Sequence, residues 1–190
     1  MSASGVLHPV VWTRLSLYEH LGGVETAPGN RAVYDVLRNE AHFGAARIDG
    51  HALVWEVGGS GEGAKTSVEA ALHTGTQWLM RCDRVDFPPG GVAYLHWHPG
   101  PGIRYLLKGS IRIETGGRKG YYDPFDAWFE SGHEPVYAAV SETEETAFVR
   151  VLLLPREWEG KRTIRYLDPA DEDKPKLQRA TVFLEEPLPL

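Results

Sequence analysis

Apolar and polar residues alternate at short intervals through most of the chain, and that alternation predicts a β fold. From residue 77 onward the runs 77–87, 92–98, 103–107, 110–114, 126–130, 136–139 and 146–154 carry apolar, aromatic and β-branched residues. Gly- and Pro-containing turns separate them, and no helical repeat intervenes between them. Short strands joined by tight turns build an antiparallel sandwich or barrel, and a double-sheet jelly roll fits best. The first part reads differently. Residues 11–21 (VWTRLSLYEHL) place Val11, Leu15, Tyr18 and Leu21 near helical spacing, which predicts a short N-terminal helix stopped by Gly22 and Gly23. Residues 32–39 are ambiguous. Residues 46–57 read as two short strands around an Asp49-Gly50 hairpin signal, and 58–63 (GGSGEG) as a surface loop. In the tail, 164–168 and 177–184 are extended on either side of a polar turn, PADEDK.

Composition narrows the class. A chain of 190 residues suits one domain with a sizeable core. We divide it into an N-terminal extension (1–70), a barrel core (71–155) and C-terminal strands (156–190). The formal charge of −6 gives no basic face for nucleic acid. The single cysteine, Cys82, excludes an internal disulfide and reads as a small buried hydrophobe. Apolar runs such as 148–155 are too short to span a bilayer, and the start, MSASGVLHPV, lacks a signal peptide's basic and apolar regions. A cytoplasmic protein is expected. His8, His20, His42, His51 and His73 have no ligand spacing and read as ordinary surface histidines.

The chemistry concentrates in PPGGVAYLHWHPGPGIRYLLKG, residues 88–109. In an extended strand His96 and His98 share a face, with Trp97 opposite. Two imidazoles so placed can hold one transition metal. The same parity puts Tyr94 with the histidines and sends Tyr105 away. On the preceding strand Gln77 and Arg81 share one face, and Trp78, Met80 and Cys82 the other; parity does not say which face lines a pocket.

Gly90, five residues, His96, one residue, His98, three residues, Gly102, six residues and Gly109 resemble the first motif of the cupin superfamily, with Gly102 where that motif carries a glutamate. The resemblance covers 77–154 and implies a jelly-roll barrel with a metal in its cavity: iron, manganese, nickel or zinc. A second motif is degenerate. With Gly132 as its glycine, the histidine position falls on Pro135, and His133 is the candidate substitute ligand beside His96 and His98. Since the Gly102 position faces the interior in that family, Arg104 should face it too. Its partner is then Asp83, Asp86, Asp126 or the carboxylate of a bound ligand. Arg104, Tyr94 and Tyr137 are the candidate substrate contacts. The resemblance also implies a homodimer through the terminal strands; the alternative is that the tail covers its own sheet edge.

Two functions are expected from this. One is a metal-dependent enzyme of dioxygenase, isomerase or lyase type, acting on a small anionic substrate. The other is a non-catalytic cupin that binds a small molecule with weak or no metal. A purely structural protein ranks behind both.

Overall fold

The structure, a computed structural model, describes residues 9–190. His8 and the first residues of the chain lie outside that range.

The stretch expected as a helix is a strand. β1 (Val10–His20) opens the chain, followed by β2 (Val24–Thr26), β3 (Arg31–Asp35), β4 (Glu40–Phe43), β5 (Ala46–Ile48), β6 (Ala52–Val57) and β7 (Thr66–His73). Leu15 and Leu17 point into one core, while Tyr18 packs on another across the sheet. Over Leu15–Leu17 both faces of the strand are covered and the clean two-residue alternation is lost, so apolar residues at 11, 15 and 18 passed for a helical stripe. The Asp49-Gly50 turn also has a different role from the expected one. It does not join paired strands: β5 pairs with β2, whereas β6 pairs with β1 and β3. Strands β4-β3-β6-β1-β7, in that order, form the N-terminal sheet, with the β2–β5 ribbon beside it.

The rest of the chain builds two further sheets. Their strands are β8 (Trp78–Phe87), β9 (Val92–Trp97), β10 (Gly102–Lys108), β11 (Ile111–Thr115), β12 (Arg118–Tyr122), β13 (Ala127–Glu130), β14 (Val136–Val140), β15 (Thr146–Pro155), β16 (Arg165–Tyr166) and β17 (Arg179–Leu188). The central sheet runs β13-β10-β15-β8-β17 and the distal sheet β12-β11-β14-β9-β16, all pairs antiparallel. These two sheets are the walls of the jelly-roll barrel that the alternation predicts.

Parity along β8 and β15 decides which layer each side chain joins. Trp78, Met80, Cys82, Val149, Val151 and Leu153 point at the N-terminal sheet, where they meet Leu15, Leu17, Tyr34, Leu53 and Trp55. Val85, Phe87 and Phe148 point at the distal sheet, against Ala93, Ile113, Val136 and Ala138. Cys82 is fully buried in the first of these cores, as a small hydrophobe. The Trp55 indole N–H donates to the Ile103 carbonyl at 3.1 Å, a bond that ties the N-terminal sheet to the central one.

The tail completes the barrel within its own chain. β17 pairs along the length of β8 at the edge of the central sheet, and β16 pairs with β9 at the edge of the distal sheet. Arg81 fixes this closure. Buried in the wall, its guanidinium meets the Glu185 carboxylate of β17 and donates to the carbonyls of Lys161 and Trp158, both at 2.9 Å.

Candidate functional site

Between the central and distal sheets lies a cavity of about 560 Å3, inside the range of small-molecule sites, about 300–1,000 Å3. Val85, Phe87, Ile113, Trp128, Val136 and Phe148 supply apolar wall. His96, His98, Asp83, Glu130 and Arg150 form a polar cluster within it.

Both histidines face inward, as the strand parity requires, and both are buried. Their rings stand edge-on with centroids 4.9 Å apart. The parity fails one step earlier. β9 pairs His96 with Val136 and Ala93 with Ala138, so three steps on β9 oppose two on β14. That extra residue is a β-bulge. It turns Tyr94 and Leu95 away from the cavity between two inward positions. Tyr94 therefore does not line the cavity; its ring lies under the Lys174 ammonium, 4.3 Å from the centroid. Tyr137 points outward from β14 and packs near Arg112, with the guanidinium 6.0 Å from its ring. His133 is exposed in the turn after β13 and is not part of the site. That turn has a different job. Gly132, at φ 92°, offers its carbonyl to the His98 amide at 2.9 Å. A Cβ there would stand 2.4 Å from the Gly100 carbonyl oxygen, so only glycine allows the close approach that seats His98.

Arg104 is fully buried on the inward face, but behind the cavity wall rather than lining it. None of the three aspartates expected as its partner is the one it uses. Its Nη2 lies 2.6 Å from Oε2 of Glu130, and Nη1 donates to its own strand's Gly102 carbonyl at 2.6 Å. Glu130 also accepts from the Trp128 indole at 2.8 Å. Burial lowers the Arg104 pKa to about 10, opposed by the Glu130 charge, so the guanidinium stays protonated at neutral pH. Gly102 and Glu130 are directly opposite each other across the β10–β13 ladder. A side chain at 102 has no room, since a Cβ would sit 2.3 Å from the Val151 carbonyl oxygen. The carboxylate missing at 102 thus enters from the neighbouring strand, and it is committed to Arg104.

The cation of the polar cluster that does line the cavity is Arg150, on the central strand β15. Its Nε and Nη2 donate to the two carboxylate oxygens of Asp83, at 2.6 and 3.3 Å, and its Nη1 lies 3.4 Å from Nε2 of His98. Arg150 and Glu130 were not among the expected site residues. A charged residue inside the apolar run TAFVRVLLLP was the available signal for Arg150, because a lone charge in a buried strand needs a partner.

Partner chemistry assigns the imidazole tautomers. Nδ1 of His96 lies 2.7 Å from the Tyr94 carbonyl, which can only accept, so Nδ1 carries the proton. A guanidinium only donates, so Nε2 of His98 is the acceptor toward Arg150. Burial lowers the pKa of both rings, His98 well below its ordinary value, with the Arg150 and Arg104 charges acting in the same direction on each.

This donor set does not fit a transition metal. Among the described residues no three His, Cys, Asp or Glu side chains are grouped so as to hold an ion. The His98 lone pair faces a guanidinium, and Glu130 is engaged by Arg104 and Trp128. A dication here would meet two fixed positive charges, with only the His96 lone pair free.

No protein-family model matches the chain, and no curated protein does either. Solved structures do. An RmlC-like cupin from Shewanella frigidimarina NCIMB 400 is 18% identical over 46% of this chain and 73% of its own, with a TM-score of 0.37. A cupin 2 conserved barrel domain protein from Leptotrichia buccalis is 13% identical over 80% of this chain and 92% of its own, with a TM-score of 0.42. Both are cupins. The architecture and site described for this chain rest on its own strand order and contacts.

Proposed function

We propose that this protein binds a small organic acid with an apolar body in the cavity between its central and distal sheets, without a metal. Arg150 carries the reading. Asp83 takes the Nε/Nη2 edge of its guanidinium and His98 one N–H of Nη1. One N–H on each terminal nitrogen remains to donate to a ligand carboxylate. The flanking imidazoles are neutral, so they do not repel an anion, and the apolar wall suits the rest of such a ligand. Lys161, Arg162 and Lys176 also line the cavity, in a chain whose net charge is −6.

The test uses 3-phenylpropanoate, octanoate and their uncharged methyl esters, titrated calorimetrically into the untagged protein. Saturable binding of at least one acid, with the ester of that acid much weaker, is the expected result. If neither acid binds, or if the esters bind equally well, the acid-binding reading is wrong.

A further inference from the structure

The polar cluster specifies more than an acid. His96 lines the cavity; its Nδ1 donates to the Tyr94 carbonyl, which leaves Nε2 an acceptor, and no hydrogen bond to Nε2 is made among the described residues. His96 as a whole is 5% exposed. An acceptor with no protein donor on the wall of a largely apolar cavity gives a ligand's donor a place to gain a hydrogen bond. His98 connects this acceptor to the cation: its ring is 4.9 Å from that of His96, and its Nε2 is 3.4 Å from Arg150. Acceptor and cation are therefore features of one wall, with His98 between them.

We infer that the ligand is a hydroxy acid with an apolar body, its carboxylate on the free N–H pair of Arg150 and its hydroxyl donating to Nε2 of His96. This rests on the acid-binding reading and adds the hydroxyl to it. Electrostatics selects hydroxyl over amine. An ammonium group would also donate to His96, but it would stand beside the Arg150 guanidinium with Arg104 behind it, and the nearest carboxylates, Asp83 and Glu130, are already paired. Like charges that close in a buried site are strongly unfavourable. A neutral hydroxyl has no such conflict.

Three probes of one size separate the outcomes: 3-phenylpropanoate, its 2-hydroxy derivative phenyllactate, and phenylalanine, the 2-amino derivative. Calorimetry on the wild-type protein should rank phenyllactate tighter than phenylpropanoate by roughly three- to tenfold, the worth of one net hydrogen bond. Phenylalanine should be the weakest. In His96→Leu the preference for the hydroxyl should vanish while phenylpropanoate still binds, and in His96→Gln, which restores an acceptor oxygen, part of it should return. Equal affinity of phenyllactate and phenylpropanoate for the wild type overturns the hydroxyl assignment and leaves acid binding standing. Tighter binding of phenylalanine overturns it as well. Failure of all three to bind, when octanoate does, shows a cavity that admits no aromatic body and rejects the proposed ligand. If octanoate fails too, the acid-binding reading falls with it. The wild-type comparison decides the matter even if neither His96 variant folds.

Discussion

The two buried charges of Arg104 and Glu130 depend on each other, and that dependence is measurable. Glu130→Ala leaves a fully buried guanidinium facing only a backbone carbonyl, and breaking such a pair costs about 3–5 kcal/mol. Replacing both, as Arg104→Met with Glu130→Leu, should cost clearly less than Glu130→Ala alone, because no orphan charge remains. Chemical denaturation of the three proteins measures this; a double variant less stable than Glu130→Ala would show that the pair contributes more than mutual neutralisation. The histidines add a pH dependence. Burial, with Arg150 and Arg104 nearby, keeps both rings neutral in the folded protein below their ordinary pKa. The unfolded chain takes up protons at these positions as pH falls through about 6.5, so it binds more protons than the native state and stability declines on acidification. A urea-unfolding series from pH 7.5 to 5 should therefore have a shallower slope in His98→Gln than in the wild type. Equal slopes would mean that His98 is charged in the fold.

At the scale of elements, the strands from 77 onward were legible because each combines a period-two pattern with a Gly or Pro stop. The N-terminal strand β1 was not, because it is exposed at its start and covered on both faces over Leu15–Leu17, and in the distal sheet β12, RKGYY, was missed as a polar edge strand with no apolar face to detect. The histidine pair was readable from spacing alone. The Tyr94 position was not, since one bulge residue reverses the parity of all that precedes it. The partners of Arg150 and Arg104 were hidden for another reason: which carboxylate meets which guanidinium depends on the order of strands across the sheet, and local sequence does not encode that. The same holds for the clasp between the N-terminal and central sheets, where Glu19 of β1 accepts from the Tyr105 hydroxyl of β10, from Lys65 at 2.8 Å and from His51 at 3.0 Å. Burial pushes the Glu19 pKa up, but these three partners outweigh it and hold the carboxyl below its ordinary value. Tyr105→Phe removes one donor and keeps the packing. It should cost about 1–2 kcal/mol in unfolding free energy, with the loss shrinking as pH drops toward the Glu19 pKa and the carboxyl protonates. A loss that stays the same even at a pH acid enough to protonate Glu19 would show that the hydroxyl contributes through something other than the charged form of Glu19.

The whole molecule is three stacked sheets in which each interlayer has one job. The layer between the N-terminal and central sheets is apolar and closed; the layer between central and distal sheets holds the cavity and its charges. At the polar cluster three arginines are each matched by one carboxylate: Arg81 with Glu185, Arg150 with Asp83 and, behind the wall, Arg104 with Glu130. With both imidazoles neutral, this cluster is balanced without any added ion. A divalent metal would raise its charge by two in a buried setting where no carboxylate is uncommitted, so it would have to break an existing pair to enter. Untagged protein incubated with Fe(II), Mn(II), Ni(II) or Zn(II) and then desalted should therefore retain only substoichiometric metal, and its thermal midpoint should be the same with and without chelator. Full occupancy that disappears in both His96→Leu and His98→Gln would mean that the arginines yield to the ion, and the metal-free acid site would have to be abandoned. The ion pairs also link the cavity to the tail, because Glu185 reaches Arg81 from β17, the strand that covers the edge of the central sheet. Ligand binding beside that strand should slow hydrogen exchange across residues 179–188 as well as in β8 and β15, and exchange confined to the histidine segment would disconnect the two.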